Sequence, residues 1–203
     1  ADLVAEFADR SDVEVVHADA LETPLATLFA DPSRVKVIGN IPYNITSPLL
    51  FHLLERPRPA EILVMVQREV ADRLLAETGS AEYGALAVGV RSVADVTKVL
   101  TVPRGAFRPV PGVDSTVVRI TPHAPPRLTA EEERDLRLVV RAAFQWRRKQ
   151  LQKILRDHPD LSLPEGEAPG LLAALGVGPT ARPETLSPDT FLALSRALRV
   201  SRV

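Results

Sequence analysis

Apolar residues in the first 67 positions fall into short, nearly continuous runs rich in Val and Ile, a composition typical of parallel strands buried on both faces. These runs cover residues 13–19, 35–40 and 62–67. Apolar and polar spacing predicts helices over residues 49–54, after a Thr46–Pro48 start with proline in the first turn, and over 68–77 and 84–92. This alternation of strands and helices predicts an α/β fold.

Two further segments, 96–102 and 116–121, alternate apolar and polar residues and predict an antiparallel pair joined by a long loop. A proline-rich stretch at Pro122–Pro126 follows them. We therefore expect two domains, a catalytic α/β domain over residues 1–122 and a small all-helical domain over 123–203.

The pattern after residue 126 is helical. Thr129 and Glu132 have the spacing of a capping box, which predicts a helix start. One apolar stripe then runs from residue 136 to 155, with Arg147 in its middle, so either the helix bends there or Arg147 faces a cleft or an acidic partner. Shorter helices are predicted around 169–175 and 187–198.

Composition limits the chemistry that the chain can perform. Cysteine is absent, which excludes disulfides and thiolate metal sites, and the four histidines show no metal-ligand spacing, so we expect no metal. The sequence contains neither an apolar run of membrane-spanning length nor a signal-peptide pattern, and we expect a cytoplasmic protein with no membrane partner.

The charge is unevenly distributed, because the formal net charge is −1 and yet residues 141–156 carry six basic residues and no acidic one. Such a segment suits contact with phosphate, although a basic run is also typical of a solvated helix face.

Asn40–Tyr43 follow the second predicted strand and read Asn-Ile-Pro-Tyr. The Asn40 side-chain oxygen and a backbone carbonyl near Ile41–Pro42 can accept the two hydrogens of an exocyclic amine. Pro42 fixes its own φ and biases Ile41 toward extended geometry, so these acceptors are aimed in advance. Tyr43 offers a ring on which a base can stack. The segment is therefore a candidate base-binding site, and its residue types equally suit a plain strand-ending turn.

Two other positions are candidates for the same site. Phe107 begins a loop stiffened by two prolines, and it can cover the second face of a base held by Tyr43, or anchor the loop in the core. Asp19 ends the first predicted strand, where α/β folds bind ligands. It can accept the amine of a nucleotide-like cofactor, or cap a helix with Glu22 as its capping-box partner.

Several segments together resemble one family. Asn40–Leu49 contains the (Asn/Asp/Ser)-x-Pro-(Tyr/Phe/Trp) signature of methyltransferases that modify exocyclic amines of bases. The other matching segments, in the same order as in the family, are Val66–Ala71, Tyr83–Val88, Phe107–Ser115, Val117–Ile120, Phe144–Lys149 and Arg182–Ser187. With them the chain resembles the KsgA/Dim1 ribosomal RNA adenine dimethyltransferases from about residue 13 onward.

The resemblance implies a Rossmann-like S-adenosylmethionine (SAM) methyltransferase sheet with a small helical C-terminal domain. It implies N6,N6-dimethylation of two adjacent adenines near the 3′ end of small-subunit rRNA, on an immature subunit, by a protein that we expect to be a monomer. Carried over by position, Asp19 and Ala20 contact the SAM adenine, and Asn40 serves both cofactor and target amine. Pro42, Tyr43 and Phe107 complete the catalytic pocket. The cations that approach RNA are Arg147, Arg148 and Lys149.

The sequence departs from the family at its start, because the glycine-rich loop and the acidic residue that hold SAM after the first two strands do not appear. We expect a sheet that is incomplete at its N-terminus and in which the first predicted strand has no neighbour. We expect the chain as given to bind SAM poorly or not at all, and to be inactive without the cofactor loop. Two alternatives remain at this point. One is an erythromycin-resistance-type large-subunit rRNA methyltransferase, and the other is a non-catalytic RNA-binding assembly or transcription factor on the same fold.

Overall fold

The computed structural model describes residues 3–200, with the side chain of residue 200 excepted, and shows a mixed α/β architecture. Its strands are β1 (Lys36–Asn40), β2 (Glu61–Gln67), β3 (Ala94–Val102) and β4 (Ser115–Pro122). Its helices are α1 (Leu3–Glu6), α2 (Leu25–Leu28), α3 (Thr46–Leu53), α4 (Arg68–Leu75), α5 (Ala85–Arg91), α6 (Ala130–Gln145), α7 (Leu151–Asp157), α8 (Glu167–Ala174) and α9 (Pro188–Val200). The α/β fold predicted from the sequence is confirmed.

The four strands form one sheet in the order β1-β2-β4-β3. β1 and β2 are parallel and are connected through α3, while β4 is antiparallel to both β2 and β3. The predicted antiparallel pair is therefore confirmed. β1 forms one edge of the sheet, and the side chain of Ile38 in its middle is 77% exposed.

The strand predicted over residues 13–19 is wrong. The structure shows this segment without regular secondary structure, and most of its side chains are exposed. A strand needs a neighbour to pair its backbone groups, and no described strand lies beside this segment. Its Val-rich composition alone is therefore not enough to fix it in a sheet.

Two apolar cores meet at α5. One core packs β2 and β4 against α3, α4 and one face of α5, through residues that include Leu86 and Val90. The other packs Ala87 and Val88 of α5 against the C-terminal helices α6–α9. α5 is apolar on both sides because it lies between the two cores. The predicted boundary after residue 122 stays a prediction.

A buried ion-pair cluster joins the loop after α3 to α6. Glu133 is only 5% exposed, and its carboxylate accepts hydrogen bonds from Arg56 at 2.6 and 3.1 Å and from Arg58. Arg58 also donates to the Leu54 carbonyl at 2.7 Å, and Arg56 donates to the Leu128 carbonyl. A buried carboxylate requires such pairing, so these contacts hold the start of α6 to the sheet side of the molecule.

The apolar stripe of residues 136–155 belongs to two helices. α6 begins at the predicted capping box, in which Thr129 and Glu132 exchange side-chain-to-backbone hydrogen bonds of 2.8 and 3.1 Å. It ends at Gln145, and α7 starts at Leu151, so the basic residues 147–149 lie on the connection. The predicted helices near 169–175 and 187–198 are confirmed as α8 and α9, and α8 is followed by Gly176 with φ +69°.

Candidate functional site

A cavity of about 330 Å³ opens at the carboxyl end of β1. Its lining residues come from two segments, the turn after β1 and the loop between β3 and β4. They are Asn40, Ile41, Pro42, Tyr43, Phe107, Arg108, Pro109 and Pro111. The structure therefore brings Phe107 together with Asn40, Pro42 and Tyr43, which lie 64 or more positions earlier in the sequence. The volume is at the lower end for small-ligand sites, as expected for a single base.

The Asn40 side chain is available for a ligand. It is exposed at the end of β1, and within residues 3–200 the structure gives its amide no hydrogen bond. The Pro42 carbonyl is already used, since it accepts from the Ile45 N–H at 3.2 Å and from the Thr46 hydroxyl at 3.3 Å. The Ile41 carbonyl accepts no hydrogen bond from a described residue. Of the two carbonyls near Ile41–Pro42, that of Ile41 is therefore the better acceptor for an amine.

The turn after β1 is held to the sheet at both ends. The Ile41 N–H donates to the Met65 carbonyl of β2 at 3.3 Å, and the Ile41 side chain is buried. The hydroxyl groups of Tyr43 and Ser115 lie 3.2 Å apart, and Ser115 is the fully buried first residue of β4. The Tyr43 ring is thus fixed at its hydroxyl end while 38% of the residue is exposed. This arrangement leaves a ring surface for stacking.

The loop between β3 and β4 contributes Phe107 to the lining of the same cavity. Asp114 fixes the loop at both ends, because its side chain accepts from the Arg104 N–H at 2.9 Å and its carbonyl accepts from the Arg68 N–H at 3.0 Å. Pro109 and Pro111 further restrict the backbone. Phe107 is only partly buried, so it lines the cavity instead of serving as a deep core anchor.

Sequence reasoning missed Arg108. The residue is exposed and lines the cavity beside Phe107. The sequence contained one available signal, which is a cation directly after the aromatic residue of a rigid loop. That signal becomes specific only when the fold shows which loop residues face the cavity.

Asp19 forms a turn, and the alternative in which Asp19 and Glu22 form a capping box is wrong because no helix starts there. Its carboxylate accepts from the Leu21 N–H at 2.8 Å, and its carbonyl accepts from the Glu22 N–H at 3.1 Å and the Thr23 hydroxyl at 2.7 Å. Asp19 and Ala20 are both exposed and do not line the cavity around Asn40. Their predicted contact with a cofactor stays a prediction.

The three predicted RNA-binding cations differ in their surroundings. Arg147 donates to the Ala81 carbonyl at 2.8 Å and lies 3.9 Å from the Glu184 carboxylate. Arg148 and Lys149 are exposed, and their side chains have no ion pair to a described residue. Of the alternatives for Arg147, the structure shows both an interrupted helix and an acidic partner, which is Glu184 of the same chain. The contact of all three cations with RNA stays a prediction.

Gln67 and Arg68 lie at the start of α4. Gln67 precedes α4, and the Arg68 guanidinium lies 3.7 Å from the Asp72 carboxylate one turn later. Neither lines the cavity.

Among residues 3–200, no group of three or more acidic or histidine side chains is placed to hold a metal ion. None of the helices in that range is long and apolar enough to cross a membrane.

Comparison with known proteins agrees with the geometry of the site. The model of a family described as "Ribosomal RNA adenine dimethylase" matches residues 1–198. A ribosomal RNA small subunit methyltransferase A from Nitratidesulfovibrio vulgaris (strain Hildenborough) is 43% identical over 198 residues, covering 97% of this chain and 72% of that protein. The protein of the same name from Geobacter metallireducens is 42% identical, covering 95% of this chain and 70% of that protein.

Solved structures show the same relationship. A dimethyladenosine transferase from Plasmodium falciparum superimposes with a TM-score of 0.80 at 28% identity, over 98% of this chain and 77% of that chain. The 23S rRNA methyltransferase ErmE superimposes with a TM-score of 0.64 at 26% identity, over 97% of this chain and 76% of that chain. On the extent of the family match and of the identity, the chain belongs to the ribosomal RNA adenine dimethylase family.

Proposed function

We propose that this protein transfers methyl groups from SAM to N6 of two adjacent adenines near the 3′ end of small-subunit rRNA during ribosome biogenesis. The observation that carries the proposal is the cavity lined by Asn40, Tyr43 and Phe107, in which the Asn40 amide has no hydrogen bond to a described residue. Membership of the ribosomal RNA adenine dimethylase family supports the same chemistry. The small subunit is supported by the names of the relatives that are about 40% identical.

The cavity residues act by holding the amine in place. The Asn40 side-chain oxygen and the Ile41 carbonyl each accept one N6 hydrogen, so the nitrogen lone pair points in a fixed direction. Tyr43 and Phe107 stack on the two faces of the base and replace the stacking that it loses on leaving the RNA, about 1–3 kcal/mol per contact. An unpaired adenine in a loop is cheapest to extrude, which suits an rRNA substrate.

SAM supplies an electrophilic methyl group to this site when it is bound. The Asn40 amide is exposed and has no hydrogen bond to a residue that the structure describes, which fits a contact to the cofactor next to the target amine. Asp19 uses one carboxylate oxygen for the Leu21 N–H, which leaves the other oxygen for the amine of the cofactor's adenine. Asp19, Ala20 and Asn40 are therefore the residues that would hold SAM.

Methyl transfer to isolated ribosomal subunits tests the proposal. The full gene-encoded chain is incubated with SAM and with either immature small subunits or large subunits from cells that lack the activity, and N6,N6-dimethyladenosine is measured by mass spectrometry. We expect two dimethylated adjacent adenines in small-subunit rRNA. Transfer to large-subunit rRNA alone would support the resistance-type activity, and binding without transfer would support a non-catalytic RNA-binding role.

The finer points of this function belong to the same proposal. The proposed substrate is an immature small subunit, and the proposed working form is a cytoplasmic monomer. Sedimentation of the protein alone and with immature or mature subunits tests them, because a monomer that binds only the immature particle is the expected result.

A further inference from the structure

Arg108 is the charged residue among the eight that line the cavity at the end of β1. Its side chain is exposed, and within residues 3–200 the structure gives its guanidinium neither a hydrogen bond nor an ion pair. Many other arginines are paired with carboxylates, as Arg56 is with Glu133, Arg119 with Glu61 and Arg196 with Glu132. Arg108 is therefore an exposed cation that lines the cavity and has no ion pair to a described residue.

The surrounding loop keeps this cation free. The acidic residue nearest in the loop sequence, Asp114, accepts the Arg104 N–H and so serves to close the loop. Pro109 and Pro111 restrict the backbone that follows Arg108, and both also line the cavity. The loop thus presents Phe107 and Arg108, an aromatic ring and a cation, to the same space.

The chemistry of a nucleotide matches this pair. A base that enters between Tyr43 and Phe107 brings its sugar and its phosphodiester group to the mouth of the cavity. A guanidinium binds phosphate oxygens with two parallel hydrogen bonds, which gives both strength and orientation. A phosphate anchored beside Phe107 fixes the depth and the rotation of the base, and with them the position of N6 relative to Asn40.

We propose that Arg108 forms an anion site that binds the phosphodiester group next to the extruded adenosine. This inference rests on the proposed function, because it takes the occupant of the cavity to be an adenosine of RNA. Arg108 is a substrate-positioning residue in this account. The rival anion is the carboxylate of the SAM methionine, and the test separates the two.

A combined protein and RNA substitution tests the proposal. The full gene-encoded chain and its Arg108→Ala, Arg108→Lys and Arg104→Ala variants are titrated with an RNA hairpin whose loop contains two adjacent adenines. A second hairpin carries a neutral methylphosphonate in place of the phosphodiester group beside the target adenosine. Arg104 is the matched control, since it lies in the same loop with the same charge but does not line the cavity. Methyl transfer to the first hairpin is measured in parallel.

The unsubstituted protein and Arg104→Ala are expected to bind the neutral hairpin about tenfold more weakly than the charged one, as for the loss of a charge-assisted hydrogen bond. Arg108→Ala is expected to bind both hairpins equally and to raise the KM for RNA about tenfold, with Arg108→Lys intermediate. The anion site would be overturned if Arg108→Ala lost as much affinity on going from the charged to the neutral hairpin as the unsubstituted protein does. It would also be overturned if Arg108→Ala raised the KM for SAM and left the KM for RNA unchanged. In both cases methyl transfer by the unsubstituted protein would leave the proposed function standing. Absence of transfer by that protein to any rRNA would overturn both.

Discussion

The guanidinium of Arg147 donates a hydrogen bond of 2.8 Å to the backbone carbonyl of Ala81. This contact connects the turn between α6 and α7 to the loop before α5. Arg147 therefore differs from its neighbours Arg148 and Lys149, whose side chains are exposed. One run of three cations therefore contains a residue with a structural partner and two exposed residues that we predict to contact RNA.

Replacement of the two exposed cations is expected to weaken RNA binding without loss of stability. In the Arg148→Ala/Lys149→Ala double variant, the slope of log K against log salt should fall by about 1–2, because each lost phosphate contact removes about 0.7–0.9. Filter binding at several salt concentrations measures the slope. Arg147→Ala is the comparison. It should lower the free energy of unfolding by about 1 kcal/mol for the lost hydrogen bond, and a salt slope that changes only in this variant would contradict the assignment.

Asn40→Ala is expected to abolish methyl transfer and to leave the fold and the affinity for RNA close to normal. The Asn40 side chain makes no hydrogen bond to a described residue, so its loss removes a ligand contact and not a structural one. Single-turnover transfer, circular dichroism and RNA titration measure the three properties. Asn40→Asp retains oxygen acceptors and should retain part of the activity, whereas an Asn40→Ala variant with normal transfer would refute the role in holding the amine.

Tyr43→Phe and Tyr43→Ala separate the ring from the hydroxyl group. Tyr43→Phe loses only the 3.2 Å contact with Ser115, and we expect kcat/KM to fall by a few-fold at most. Tyr43→Ala also loses the stacking surface, and we expect kcat/KM to fall about ten- to a hundredfold, in line with about 1–3 kcal/mol for base stacking. Equal losses in the two variants would show that the hydroxyl group, and not the ring, is required.

Glu132 should make the stability of the C-terminal helices depend on pH. Its pKa is lowered below the usual value by the hydrogen bond from the Thr129 N–H and then by Arg196. Because the folded-state pKa lies below the unfolded-state pKa, the contribution is complete above the unfolded value of 4.5 and is lost as the pH falls through the folded value. Glu132→Gln should therefore be less stable than the parent protein at neutral pH, with the difference shrinking below about pH 4.5.

Urea unfolding between pH 7 and pH 3 measures this dependence. Glu77→Gln is the matched control, since it removes an exposed carboxylate that has no ion pair to a described residue. Its stability should follow that of the parent protein across the whole range. A constant difference between Glu132→Gln and the parent at all pH values would contradict the role of the Glu132 charge.

Local patterns predicted the elements whose partners lie close in the sequence or whose composition decides their structure. The four strands, the helix start at Thr129 and Glu132 and the turn with Asn40 and Tyr43 all belong to this class. Residues 13–19 were predicted wrongly, because strand formation depends on a neighbouring strand that no local pattern reports. Arg108 and the pairing of Glu133 with Arg56 could not be predicted either, since both depend on loops that meet only in the folded chain.

The exposed edge strand β1 affects the solubility of this 203-residue chain. Within residues 3–200 no strand pairs with the outer side of β1 and Ile38 is 77% exposed, and an edge of this kind is a template for association with another strand. Concentrated solutions of the chain should therefore self-associate edge to edge and scatter light. A charged side chain in the centre of the strand, as in Ile38→Lys, opposes this pairing, and solutions of that variant should stay clear at the same concentration.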